Sequence, residues 1–350
     1  MSGETVAGHR MRAEIAEQPD RWLDLLDARA SIDAAAELIT SQRPELLVFA
    51  ARGSSDHAAM YAQYLAHNLL RIPAMLATPA SVTGFGTQLA FPRSVALAVS
   101  QSGSSPDLLA TVASIAAADV PVIGFSNDPG SALAGAADVH VSLAAGPETS
   151  VAATKTYTAE LLALALTLHR AAGTGWPELD ERVRGIAASV AADLAAPAAV
   201  DAAVAALSGV DRVIVVGRGY SMSTAREGAL KLMETNAIAA SGWSAADATH
   251  GPLGQVVPGS VVVALTGSPA GRDSVLSFAS GATALGARVI ELGPGLVDGA
   301  AVHLPLDEQD DELLPLREIV PLQRIALELA VGRGLDPDNP AGLKKVTLTV

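Results

Sequence analysis

The stretch Val95–Val112, VALAVSQSGSSPDLLATV, contains the change of pattern that decides the fold. It opens with an apolar run typical of a buried strand, and from Leu108 onward it suits a helix. Between the two, small hydroxyl residues surround Gly103 and lead into Ser105 and Pro106. Serine at the N-cap and proline in the first turn are preferred at a helix start. The stretch therefore predicts a strand, a turn and a helix that begins at Pro106.

The same turn is suited to hold an anion. The first amides of a helix have no intrahelical acceptor and lie at the positive end of its dipole. Side-chain donors of the turn add to them: Ser100, Gln101, Ser102, Ser104 and Ser105. We interpret the turn as a phosphate cradle, with a polar turn before a well-capped helix as the alternative. A serine-hydrolase elbow is disfavoured because the G-x-S-x-G frame is absent.

The strand-and-turn plan occurs twice along the chain. Three pairs of matching segments keep spacings of 166, 166 and 167 residues: LLVFAARGSS (46–55) with RVIVVGRGYS (212–221), SVALAVSQS (94–102) with SVVVALTGS (260–268), and Val122 in PVIGFSNDPG with Val289 in RVIELGPG. One spacing kept over three strands indicates an internal duplication, with its boundary in the Ala-rich stretch at 187–210.

Alternating strand-like and helical runs in both copies are typical of α/β proteins with open parallel sheets. We predict two tandem domains of this kind and an ordered C-terminal tail. The expected limits are a helical arm at 1–30, a first domain at 31–190, a second domain at 191–336 and a catalytic tail at 337–350. Because ligands bind at the carboxyl ends of strands in such sheets, RGSSDH, with Ser54 and Ser55, is expected beside the cradle.

Composition excludes several classes of protein. The net charge of −14 disfavours a nucleic-acid partner, which needs a basic face. With no cysteine and no histidine pair at ligand spacing, we expect no disulfide and no metal. The longest apolar run, LLALALTL at 161–168, is too short to cross a membrane, and the first residues do not resemble a signal peptide. We therefore expect a cytoplasmic protein that does not bind membranes.

A second polar cluster is predicted on a helix around residues 226–236. Glu227, Lys231 and Glu234 recur at i, i+4 and i+7 and share one face. Their apolar neighbours indicate partial burial, which would favour Glu234 as a general base. A surface ladder of ion pairs is the alternative.

Two further residues are candidates for chemistry. His250, in THGP, is either structural or catalytic. Lys344, next to Lys345 near the chain end, belongs either to a solubilising basic tail or to a segment that delivers an amine to a carbonyl substrate.

The motifs of both halves resemble those of sugar isomerase (SIS) domains. The shared stretches are EIAEQPD, RGSSDHA, SQSGSSPD, VAATKTYT, EGALKLME, HGPL, PLQRIALELA and AGLKKVT. In tandem they resemble the isomerase part of glucosamine-6-phosphate synthase, and still more the class-II glucosamine-6-phosphate deaminases.

The resemblance implies roles for individual residues. Glu234 matches the base that moves a proton between sugar carbons 1 and 2, with Lys231 beside it, and His250 matches the ring-opening group, which a neighbouring subunit supplies in the synthase. Lys344 matches a lysine that contacts the open-chain sugar. The remaining matches are positions that bind phosphate or sugar: Ser54, Ser55, Ser100, Gln101, Ser102, Ser105 and Val151. Ala153 stands where the synthase has a serine, which weakens that assignment.

The synthase draws ammonia from a glutaminase domain with an N-terminal cysteine. The sequence has no cysteine and too few residues before Glu14 for such a domain. We therefore expect deamination of glucosamine 6-phosphate to fructose 6-phosphate and ammonia, in a homodimer, without a metal or organic cofactor. The alternatives are a galactosamine-6-phosphate deaminase, a fructoselysine-6-phosphate deglycase, and a non-catalytic regulator that binds phosphosugars.

Overall fold

A computed structural model describes residues 6–307 and 310–345. Its contacts divide the chain into two units. The first unit contains residues 17–148 and 155–187. The second unit contains the described residues of 1–16, 149–154 and 188–345.

The first unit is built on a five-stranded parallel sheet in the order β2-β1-β3-β4-β5. Its strands are β1 Leu46–Ala50, β2 Ala74–Leu76, β3 Ser94–Ser100, β4 Val122–Ser126 and β5 Val139–Ser142. All seven residues of β3 are buried, as expected for a parallel strand that helices cover on both faces.

The second unit repeats this sheet. Its order is β10-β9-β8-β6-β7, and all pairs are again parallel. Read from the other end, this is the order of the first sheet with each strand replaced by its later counterpart. The strands are β6 Arg212–Gly217, β7 Ala239–Ser244, β8 Val261–Leu265, β9 Arg288–Gly293 and β10 Val302–Pro305. The predicted fold class is therefore confirmed, and the matching segments found in the sequence lie on equivalent strands.

Helices precede and follow the strands in both units. They are α1 His9–Ala16, α2 Gln18–Leu25, α3 Arg29–Gln42, α4 Ser54–Leu65, α5 Pro79–Thr83, α6 Pro106–Ala116, α7 Ala132–Ala136, α8 Lys155–Ala171, α9 Trp176–Leu194, α10 Ala198–Leu207, α11 Ser221–Asn236, α12 Ala245–Ala248, α13 Arg272–Ala284 and α14 Leu314–Gly332. The helix that follows the first strand of each sheet packs against a long helix later in the same unit, α4 against α8 and α11 against α14.

In the described part of the chain, no single helix combines the length and apolarity needed to cross a bilayer. Helices α9 and α10 meet those limits only as a pair, bent by 65°. The domain limits expected from the sequence stay a prediction, and residues 346–350 of the expected tail lie outside the described residues.

Candidate active site

The predicted phosphate cradle follows β3 directly. β3 ends at Ser100 and α6 begins at Pro106, as the sequence predicted, with Ser105 at the N-cap. The Ser105 side chain makes no capping hydrogen bond, so its hydroxyl does not occupy the first-turn amides. Gly103 has a φ of +59°, and a Cβ there would lie 2.4 Å from Ser131 Oγ. Only glycine fits this turn.

Main-chain donors orient two serines of the cradle. The N–H of Gly103 donates to Ser100 Oγ at 3.1 Å, and the N–H of Ser104 donates to Ser102 Oγ at 3.3 Å. Both hydroxyls therefore accept from the loop and keep their own protons for a ligand. The half-buried Gln101 is held through its carbonyl, which accepts from the N–H of Asn127 at 3.1 Å.

The structure brings the second predicted loop, residues 52–55, beside the cradle. β1 and β3 pair in parallel with Ala50 opposite Ala98, so both loops leave the same edge of the sheet. Arg52 Nε lies 3.4 Å from the carboxylate of Asp107 in the first turn of α6. This ion pair joins the loops. The sequence motif RGSSDH contains Arg52, but the sequence alone predicted no role for it.

Ser55 makes a contact that the sequence did not predict. Its hydroxyl donates to Glu160 Oε1 at 2.8 Å, and both residues are buried. Ser54 is the first residue of α4 and is half-buried. One feature of the sequence could have indicated that Glu160 is buried and functional: it is the lone charge in an apolar stretch of α8. A ligand at Ser55 would meet a hydroxyl whose proton already points to a carboxylate.

The same serine–glutamate pair recurs in the second unit. Ser221, 166 residues after Ser55, donates to Glu318 Oε1 at 2.9 Å, and Glu318 is fully buried on α14. Burial raises the pKa of Glu318 to about 7, although hydrogen bonds from Ser221 and Thr224 lower it, and the nearby Asp311 raises it further. This carboxyl can therefore stay protonated close to neutral pH.

We expect Glu318→Gln to remove a pH dependence of stability. The folded state holds the Glu318 proton up to pH about 7, whereas the unfolded chain releases it near its ordinary pKa. The stabilisation is thus complete below the unfolded pKa and declines as pH rises to about 7, by about 3 kcal/mol in total. Urea unfolding from pH about 4 to 8 measures the decline. Parallel curves for the wild type and Glu318→Gln would contradict the assignment.

The predicted acid–base cluster lies on α11 and is buried, in contrast to a surface ladder. Lys231 Nζ is 3.1 Å from Glu227 Oε1 and 2.6 Å from Glu234 Oε2. Lys231 and Glu227 are fully buried, whereas the side chain of Glu234 is 23% exposed. Of these three residues, only Glu234 can therefore contact a ligand. The ammonium group of Lys231 pairs with the Glu234 carboxylate from the buried side.

The charge of Lys231 is secured by its neighbours. Burial lowers the pKa of Lys231, but the carboxylates of Glu227 and Glu234 outweigh this effect, and the pKa lies above its ordinary value. Lys231 is therefore a permanent ammonium group near neutral pH. It orients and balances Glu234 rather than exchanging protons itself.

Val151 lies in a segment that is anchored on both sides within the second unit. Its N–H donates to the carbonyl of Asp338 at 3.2 Å. The preceding residues, Thr149 and Ser150, donate main-chain and hydroxyl hydrogen bonds to the buried carboxylate of Glu14. Asp338 in turn accepts from the N–H of Met11 at 2.8 Å. These contacts fix the backbone around Val151.

The last two candidates are exposed. His250 lies in the turn after α12, where its N–H donates to the carbonyl of Asp247 at 3.0 Å. Lys344 forms no hydrogen bond or ion pair with any other residue that the structure describes. The structure thus brings Lys231 and Glu234 together and leaves the side chains of His250 and Lys344 at the surface.

Among residues 6–307 and 310–345, no group of three or more acidic or histidine side chains is arranged to hold a metal ion. The chemistry that the described side chains themselves supply is carboxylate, ammonium and hydroxyl chemistry. Such groups can bind an anion and move a proton between adjacent carbons.

Comparison with known proteins identifies the class. The SIS domain profile matches residues 38–170 and 206–293, which together exceed half of the chain. The chain belongs to the SIS domain family, as its motifs indicated.

Individual relatives extend over nearly the whole chain. The isomerising glutamine–fructose-6-phosphate aminotransferase of Methanothermobacter thermautotrophicus is 34% identical over 342 residues, which cover 96% of this chain and 57% of the relative. The chain therefore spans little more than half the length of this curated relative.

Two solved structures are similar. A protein of Silicibacter pomeroyi DSS-3, provisionally described as a phosphosugar isomerase, is 31% identical with a TM-score of 0.81, and the match covers 94% of this chain and 99% of that one. The C-terminal domain of glucosamine-fructose-6-phosphate aminotransferase from Francisella tularensis is 26% identical with a TM-score of 0.86, over 94% and 97% of the two chains.

Proposed function

We propose that the protein is an isomerising deaminase that converts glucosamine 6-phosphate and water to fructose 6-phosphate and ammonia. The observation that carries the proposal is the cluster on α11, where a partly exposed carboxylate, Glu234, is held by a buried ammonium group at 2.6 Å. A carboxylate in a fixed orientation suits proton transfer between adjacent carbons. The names of the relatives, which describe isomerising aminotransferases and a phosphosugar isomerase, support the same class of reaction.

The proposed reaction proceeds in three steps. The sugar ring opens with help from His250, which gives an aldehyde at carbon 1 and an amine at carbon 2. Glu234 then takes the proton from carbon 2 and returns it to carbon 1, while a proton passes from the amine nitrogen to the oxygen on carbon 1. The aldehyde thereby becomes a hydroxymethyl group, and carbon 2 becomes an imine. Water adds to the imine, and ammonia leaves. Lys344 is proposed to contact the open-chain sugar, and no metal or organic cofactor takes part in these steps.

The phosphate is assigned to the loops of the first unit. Ser100 and Ser102 keep their hydroxyl protons free, and the first-turn amides of α6 add donors. Ser54, Gln101 and Ser105 complete the proposed contacts together with Ser55, whose hydroxyl proton would turn from Glu160 to the phosphate. Val151 is a proposed sugar contact. The Arg52–Asp107 ion pair holds the two loops together at 3.4 Å.

Ammonia release from the purified protein tests the proposal. Glucosamine 6-phosphate, galactosamine 6-phosphate and fructoselysine 6-phosphate are supplied in parallel, and fructose 6-phosphate is measured with ammonia. Release with the first substrate supports the proposal, whereas release with either of the others alone redirects it to the corresponding enzyme. Binding of phosphosugars in a thermal-shift assay without turnover of any would favour a regulator.

We expect Ser102→Ala to raise KM about tenfold or more with little change in kcat. The lost hydroxyl would otherwise donate to a phosphate, and hydrogen bonds to charged groups contribute about 1.5–3 kcal/mol. Ser104→Ala is the matched control, because Ser104 is exposed in the same loop and donates to the carbonyl of Ser102 at 3.0 Å. Equal KM values for wild type and Ser102→Ala would remove Ser102 from the phosphate site.

The dimer and the cytoplasmic location remain proposals. A partner subunit that supplies His250 requires a dimer in solution, which light scattering on a sizing column measures. His250→Ala and Glu234→Gln chains, each inactive alone, should regain activity when mixed if His250 acts across the interface.

A further inference from the structure

The second unit contains a cavity lined by residues other than the candidates described above. Its volume is about 250 Å³, and its walls are the first turn of α10, the carboxyl ends of β9 and β10, and the middle of α14. Most of the lining is apolar, including Leu292, Leu304, Leu306 and Val320. Cavities lined in this way bind the apolar part of small molecules.

Charged groups are found at one side of the cavity. Arg317, Val320 and Arg324 are spaced i, i+3 and i+7 on α14 and share one face. Arg317 donates to both carboxylate oxygens of Asp193, at 2.7 and 3.1 Å, whereas Arg324 Nη1 donates to the main-chain carbonyl of Asp193 at 3.0 Å. Asp193 and Arg324 both line the cavity.

The charges at this side do not cancel. Arg317 is 5% exposed, and its Nη1 is buried without a hydrogen-bond partner among the described residues. Arg324 forms no ion pair within the described part of the chain. The carboxylate of Asp193 therefore balances Arg317 only, and the positive charge of Arg324 stays unbalanced within the described part of the chain.

The first turn of α10 also favours a negatively charged ligand. Ala198, Ala199 and Val200, the first three residues of this ten-residue helix, line the cavity. Pro197 at the N-cap provides no side-chain acceptor for their amides. First-turn amides without acceptors, at the positive end of the dipole, attract anions.

We propose that this cavity binds a small molecule with an apolar body and a single carboxylate. The body would lie against the leucines at the ends of β9 and β10, and the carboxylate would accept hydrogen bonds from Arg324 and the first amides of α10. One unbalanced positive charge matches a monoanion better than a phosphate dianion. This inference does not depend on the proposed deaminase activity.

Calorimetric titration with octanoate tests the proposal. We expect saturable binding of one octanoate per chain, with 1-octanol at least tenfold weaker and acetate without measurable binding. Octanol provides the apolar body without the charge, and acetate provides the charge without the body. Equal binding of octanoate and octanol, or no saturable binding of octanoate, would overturn the proposal.

Variants locate the site. Arg324→Gln should weaken octanoate at least tenfold and leave octanol unchanged, whereas Ala199→Phe, which fills the cavity, should abolish binding of both. Arg333→Gln, after the end of α14, is the control and should bind like the wild type. Thermal unfolding without ligand shows whether each variant is folded. If Arg324→Gln does not fold, the loss of octanoate binding in Ala199→Phe tests the site by itself. Octanoate binding that survives both substitutions in the cavity would refute the site.

Discussion

Replacing Glu234 with glutamine is expected to lower kcat for glucosamine 6-phosphate by about a hundred- to ten-thousand-fold, the range found when a general base is lost. The amide of glutamine has nearly the same shape as the carboxylate but cannot accept the proton from carbon 2. The phosphate contacts belong to other residues, so binding should persist. Ammonia release measures kcat, and calorimetry measures the affinity for the sugar phosphate.

The control for this variant is Glu178→Gln. Glu178 is an exposed carboxylate on α9, 3.9 Å from Arg182, and has no proposed part in the reaction. Its loss should leave kcat unchanged. If Glu234→Gln turns over substrate at the wild-type rate, another group is the base. If it loses binding as well as turnover, Glu234 is needed to hold the substrate.

Much of the fold could be predicted because parallel strands bury both faces. The run at 94–100 is apolar enough to identify β3, and the spacing of 166 residues predicted a second open parallel sheet, although not the order of its strands. The turn after β3 was also predictable, since Gly103 and Pro106 restrict the backbone locally.

The contacts that define the candidate site depend on residues distant in sequence. Glu160 is 105 positions from Ser55, and no local pattern links a serine at a helix start to that glutamate. Likewise, the periodicity of α11 placed Lys231 and Glu234 on one face but did not decide its environment. That environment comes from packing against other elements: α14, which is distant in sequence, and β7 both pack against α11, and Lys231 is completely buried. Long-range packing of this kind cannot be predicted from the periodicity of the sequence.

Lys231→Met is expected to lower the free energy of unfolding by about 3–5 kcal/mol, the cost of breaking a buried ion pair from one side. Methionine fills a similar volume, but it leaves the carboxylate of the fully buried Glu227 without its cation at 3.1 Å. Urea unfolding at pH about 7.5 measures the loss. Arg184→Met, which breaks an exposed pair with Asp180 at 2.6 Å, is the control and should lose much less.

A second substitution separates lost charge from lost packing. In Glu227→Gln/Lys231→Met the buried carboxylate is gone as well, so the double variant should be more stable than Lys231→Met alone. Acid should also narrow the gap between Lys231→Met and the wild type, because a buried carboxyl without its cation relieves the penalty by taking up a proton. A double variant less stable than Lys231→Met, with a gap independent of pH, would mean that Lys231 stabilises the protein through packing of its side chain. In that case its ammonium group would have no part in holding Glu234 for proton transfer.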